Sequence, residues 1–178
     1  MRHSNARGFS LVELAIVCAI IAVLAAIALP TLSRARLSGN EASAISSLRA
    51  IASAQYMYSS TCAGGFFAPT LVVLGTAPPS GAAFVSADLG HAAVVTKSGY
   101  TITIGSTAGP SPTSPASCNG VAAGASTGGF HTLATPMPTT GTRAYGGNGT
   151  GTIYYAQQMA PLAMTDTTAP AGSRPIPQ

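Results

Sequence analysis

Hydrophobic and polar positions divide the chain into unlike parts. Leu14 to Leu29 is an unbroken apolar run, LAIVCAIIAVLAAIAL. A helix that is apolar on every side belongs in a bilayer or a large core. Its sixteen residues rise about 24 Å as a helix, a little short of the roughly 30 Å hydrocarbon core. Phe9, Leu11 and Val12 lengthen the apolar surface once Glu13 is neutralised. Past Pro30 the pattern changes to steps of three and four: Leu37, Ala44, Ile45, Leu48, Ile51, Ala52 and then Gln55 or Tyr56. Arg34, Arg49, Ser43 and Ser47 fall largely off that stripe, which predicts an amphipathic helix running to about Ser60. Pro30 removes a helical hydrogen bond and Gly39 is a weak helix former, together costing roughly 4 kcal/mol in an isolated helix interior. Bending or local melting is expected at both.

The later chain offers strand-like runs at Ala83 to Val85, Ala92 to Thr96, Tyr100 to Ile104, Phe130 to Ala134 and Ile153 to Tyr155. Lys97-Ser98-Gly99 reads as a hairpin turn between two of them, and Gly146-Gly147-Asn148-Gly149 as a turn before the last. An antiparallel sheet laid on the apolar face of the helix is the economical way to bury both, so the expected class is α+β. Ser106 to Gly129 and Thr165 to Gln178 are rich in Gly, Ser, Thr and Pro and read as loops. No fixed-period repeat supports a solenoid or propeller.

Composition narrows the function. Only 7% of the 178 residues are charged, while Gly and Pro number 20 and 13, which suits an exported protein better than a cytosolic enzyme. The net charge of +4 includes Arg2 and Arg7; without them six basic residues stand against four acids, +2. No segment interleaves basic and aromatic residues, so a nucleic-acid surface lacks its electrostatic footprint. Arg2, Arg7 and the initiating amine favour a cytoplasmic N-terminus, although Arg34 and Arg36 beyond the apolar run weaken that vote. Cys18 lies in the apolar run, whereas Cys62 and Cys118 would meet an oxidising compartment if exported. There they either pair, closing a loop worth roughly 4 kcal/mol, or remain two free thiols.

Gly8-Phe9-Ser10-Leu11-Val12-Glu13-Leu14, followed by the apolar run and Pro30, resembles the cleavage and methylation motif of type IV prepilins and pseudopilins. The resemblance is specific for about residues 7 to 30. It implies that a prepilin peptidase cuts between Gly8 and Phe9 and methylates the new amine. It implies too that Glu13 pairs with the N-terminal amine of Phe9 on a neighbouring subunit, and that Pro30 bends the helix. Physics gives Glu13 its weight, since an ionised carboxylate in hydrocarbon costs a few kcal/mol unless paired. The implied organisation is a leader at 1–8, a membrane-spanning and assembly segment at 9–30, the amphipathic continuation at 31–60, and a β head with variable loops and tail at 61–178. The α+β class thereby becomes pilin-like: a long N-terminal helix packed against a small antiparallel sheet.

Two other readings use the same residues. Ser10-x-x-Glu13 is a capping box, with Phe9 and Leu14 placed as its hydrophobic staple, though a cap does not explain a basic leader ending in Gly. Ala26-Ile27-Ala28 supplies the small residues that a signal peptidase prefers, but that cut discards the helix and leaves Glu13 unexplained.

Catalytic chemistry finds little footing. Gly124-Ala125-Ser126-Thr127-Gly128 matches the G-x-S-x-G nucleophile pattern, yet no His follows the one downstream acid, Asp166. His91 and His131 stand apart from other ligands and read as surface or satisfied residues. Glu41, Asp88 and Asp166 are too scattered for the calcium site common in the major secretion pseudopilin. Asn148-Gly149-Thr150 is a sequon that reads first as a tight turn. The expectation is a non-enzymatic filament subunit without metal or cofactor. Its partners are copies of itself in a helical homopolymer, prepilin peptidase, an inner-membrane platform and assembly ATPase, and membrane lipid before assembly. It is made as a single-pass inner-membrane precursor and ends in a surface or periplasmic filament. The alternatives are a minor pilin, a type II secretion pseudopilin, or a single-pass anchored module that binds a surface.

Overall fold

The computed structural model describes residues 9–177. Contacts divide the chain into two units, one up to Arg36 and one from Leu37 onward. Helix α1 (Leu11–Thr61) contributes to both. It runs without a break through Pro30 and Gly39, where the sequence predicts bending or local melting. Pro30 deletes one donor from a ladder of fifty-one residues, and the following hydroxyls add bonds of their own: Thr31 Oγ1 donates to the Ala28 carbonyl at 2.8 Å and Ser33 Oγ to that of Leu29 at 3.2 Å. Beside Gly39, Asn40 Nδ2 donates to the Thr140 carbonyl at 2.9 Å, a tertiary bond that outweighs one weak helix former.

In the first unit every large apolar side chain from Leu11 to Leu29 is exposed. The helix there is long and apolar enough to cross a membrane by length and composition.

The second unit is built on the remaining turns of α1. Ala44, Leu48, Ile51, Ala54, Tyr58 and Cys62 recur at steps of three and four and are buried. Gln55 takes the place on this face that the sequence leaves open between Gln55 and Tyr56: its amide donates to the Ala68 carbonyl at 2.9 Å and accepts from the Ala68 N–H at 2.8 Å. Ser47, expected off the stripe, is buried as well, because its hydroxyl is satisfied by the Ser43 carbonyl one turn back at 2.9 Å.

Six strands form one antiparallel meander in chain order: β1 (Val94–Lys97), β2 (Tyr100–Gly105), β3 (His131–Pro136), β4 (Ala144–Asn148), β5 (Ile153–Ala156) and β6 (Arg174–Pro175). The expected turn joins β1 to β2: Lys97 pairs with Tyr100, and Ser98 and Gly99 both take positive φ, 48° and 74°. That is the twist a two-residue hairpin requires. Registers align Val95, Ile102, Ala134, Tyr145, Tyr155 and Arg174 in one cross-strand row. All but the last pack in the core shared with α1. The opposite face carries Leu133, Gly146 and Tyr154, covered by Leu162 and Met164 from the C-terminal segment.

Three expectations are corrected. Gly146, Gly147 and Asn148 belong to β4 rather than a turn. A Cβ at Gly146 would stand 2.5 Å from Met164 Cγ, so the covering segment needs glycine there. Ala83 to Val85 is no strand; the N–H groups of Phe84 and Val85 both donate to the Leu74 carbonyl, at 2.8 and 3.2 Å. They thereby close the end of α2 (Leu71–Gly75), a helix that, like α3 (Ala87–Gly90), is too short to show a period. The tail, read as loop, contains β6.

Candidate functional site

At the start of α1 the backbone groups of the first turn lack partners within the helix, and Ser10 and Glu13 supply them. Ser10 Oγ accepts from the Val12 N–H at 3.2 Å, and Glu13 Oε2 accepts from the Ser10 N–H at 3.1 Å. The capping box is therefore formed. Among the described residues Glu13 Oε1 has no partner and no cation lies within ion-pair distance of the carboxylate. Phe9 precedes this turn fully open to its surroundings, 83% exposed. Gly8 lies outside the described residues. Pro30 sits within α1, and Cys18 is exposed on the same helix as a free thiol. The geometry is that of an apolar rod bearing one acid, capped but not charge-compensated, near its beginning.

In the second unit the Cys62 and Cys118 sulfurs are bonded, with Cα atoms 4.8 Å apart. The bridge ties the end of α1 to the long loop between β2 and β3. The Cys118 N–H donates to the Cys62 carbonyl at 3.0 Å, and Asn119 Nδ2 donates to the carbonyls of Val73 and Thr76 at 2.7 and 3.1 Å. Thr127 pairs with Phe67 further along.

Two polar clusters have no local sequence signal. Asp166 is buried; its carboxylate accepts from Ser106 Oγ at 3.0 Å, the Thr107 N–H at 2.9 Å, the Ala108 N–H at 3.2 Å and His131 Nδ1 at 2.9 Å. Burial pushes this carboxyl up, but the hydrogen bonds, first from His131 and then from Thr107, Ala108 and Ser106, bring it below the ordinary carboxylate range. His131 is thus engaged, as the sequence allows. The second cluster joins Glu41 of α1 to the loop before β4. Glu41 Oε1 accepts from the Thr142 N–H and hydroxyl at 3.3 and 3.1 Å, and Glu41 Oε2 stands 3.6 Å from Arg143 Nη1. Arg143 in turn lies over the Tyr155 ring, 5.4 Å from its centre. Burial, and then Glu41, push the Tyr145 hydroxyl up to about 12 and raise that of Tyr100 as well, so both rings stay neutral. Asp88 and Lys97 pair at 2.6 Å, and that contact holds the Asp88 carboxyl down at about 2. More than half of the Asp88 side chain is exposed, so solvent leaves the pair little stabilising effect.

The remaining motifs sit in the following surroundings. Ser126 is fully buried with no partner for its hydroxyl and sits on neither a strand end nor a helix start. Asn148 is buried, its amide donating to the Thr167 carbonyl at 3.1 Å and its oxygen accepting from Thr150 N and Oγ1; the sequon asparagine ends β4 ahead of the turn at Gly149 and Thr150, and its amide is already used. Among the described residues no three His, Cys, Asp or Glu side chains gather as metal ligands.

Residues 3–29 match the prokaryotic N-terminal methylation motif, the signature of type IV pilins and pseudopilins. No characterised protein and no solved structure matches the chain. The matched segment holds Phe9, Glu13 and the exposed apolar helix, and it supports a pilin-like, membrane-anchored precursor.

Proposed function

We propose that the chain is a structural subunit of a type IV pilus or pilus-like filament. A prepilin peptidase cuts it after Gly8, and it assembles through the helix that begins at Leu11. The observation that carries this reading is the methylation-motif match over residues 3–29, which takes in an apolar helix that no described residue covers. Such a surface is stable in lipid, or against equally apolar neighbours. In lipid the uncompensated Glu13 carboxylate is costly. An amine of opposite charge relieves that cost, and the amine freed at Phe9 of a neighbouring copy is the partner the motif suggests. Leaving the bilayer for the filament then exchanges lipid contacts for helix contacts and pairs a charge in one step, with the platform and ATPase supplying the work. The head disulfide suits the oxidising side of the membrane.

Glu13→Gln separates cap from charge, because Gln still accepts the Ser10 hydrogen bond. The variant is expected to insert and be cut normally, while sheared filament yield in its own host falls at least tenfold. Unchanged yield would remove the pairing role. Abundance in the same preparation distinguishes a major subunit, which dominates it, from a minor pilin, which is scarce, and from an anchored binding module, which is absent.

A further inference from the structure

The cross-strand row that begins at Val95 ends, on the last strand, at Arg174 beside Tyr155. There the sheet opens into a cavity of about 400 Å³ lined by Arg143, Tyr155, Ala156, Gln157, Gly172 and Arg174. Two arginines line one small space, and among the described residues no acid lines it. The nearest carboxylate, Glu41, reaches Arg143 alone at 3.6 Å and already accepts two hydrogen bonds from Thr142. The second unit's other acids are committed elsewhere, Asp88 to Lys97 and Asp166 to His131. Among the described residues Arg174 has no anionic partner, although it stands next to a second cation. Like charges placed together without an acid leave a local positive potential.

The rest of the lining limits what would enter. Ala156 is its one aliphatic side chain, so a lipid tail or apolar peptide side chain has nothing to bury against. Gln157 offers an amide that both donates and accepts, and the Tyr155 ring carries the Arg143 guanidinium over its face. The volume exceeds that of a bare inorganic anion and accommodates a single sugar ring. We propose that this cavity is a binding site for a carboxylated sugar, with the acid group held between Arg143 and Arg174 and ring hydroxyls on Gln157. Guanidinium forks match a planar carboxylate with paired, charge-assisted bonds. The proposal concerns the second unit only and is independent of how the first unit assembles.

Calorimetric titration of the detergent-solubilised full chain with glucuronate, glucose and inorganic phosphate, at low ionic strength, tests it. Glucuronate is expected to bind saturably and at least about tenfold more tightly than glucose or phosphate. Arg174→Ala is expected to weaken glucuronate about tenfold while leaving the melting temperature unchanged, since Arg174 is exposed and among the described residues makes no ion pair. Arg174→Lys restores part of the affinity by returning the charge without the fork. Absence of saturable glucuronate binding, or binding that Arg174→Ala leaves intact, overturns the site. Phosphate binding as tightly as glucuronate overturns the sugar assignment.

Discussion

Asp166 and Glu13 show how differently two acids are made tolerable. Asp166 is buried under donors from two separate segments, Ser106 to Ala108 and His131, and its pKa is depressed by them. A depressed folded pKa means that its contribution is complete above the ordinary carboxyl value of 3.8 and is lost as pH falls through the lower folded value. Asp166→Asn replaces an acceptor-only group by one that points donors at donors, and is expected to cost about 2 kcal/mol at neutral pH. In urea unfolding of the full chain in detergent, the gap from the native protein should be widest at pH 7 and narrow below about pH 4. A gap independent of pH would mean that the charge is not what stabilises the cluster. Glu13 was legible in the sequence because its cap, its leader and its apolar run are neighbours in the chain. Asp166 was not, since Ser106 and His131 lie sixty and thirty-five residues away, and nothing in either stretch announces the other. Arg143 and Arg174 were invisible for the same reason.

Elements with a strong local rule were readable and those made by tertiary contact were not. The β1–β2 turn needs two residues with positive φ, and Ser98-Gly99 provides them; the buried stripe of α1 follows from its period of three and four. Strand β4 breaks the local rule. Gly146-Gly147 has low strand propensity and looks like a turn, yet both pair with β3 and β5. The smallness of Gly146 lets Met164 and Leu162 close over the sheet, while a Cβ at Gly147 would stand 2.8 Å from Thr132 Oγ1. Gly146→Val is expected to lower stability by about 1–3 kcal/mol, read by chemical unfolding. Gly128→Val, where a Cβ meets nothing within 4 Å, should change it by no more than about 0.5 kcal/mol. Equal effects at the two sites would show that strand propensity, not packing, governs β4. Local melting at Pro30 and Gly39 does not occur, since α1 is continuous through both: propensity is a weak prior beside a long hydrogen-bonded ladder.

At the scale of the whole molecule, the chain joins an uncovered apolar helix to a folded α+β unit whose core is closed on both faces of its sheet. The second unit buries a core of its own, whereas the large apolar side chains of the first are exposed, and on the proposed function they pass from lipid into a filament. On the proposed function that passage begins with one covalent event, a cut after Gly8 that exposes the amine of Phe9. Peptide mass spectrometry of the protein purified from membranes and filaments of its own host reads that event directly. An N-terminal, methylated Phe9 is the predicted result. A start at Met1, leaving an unprocessed anchor, or at Leu29, leaving a secreted domain without its helix, would contradict it.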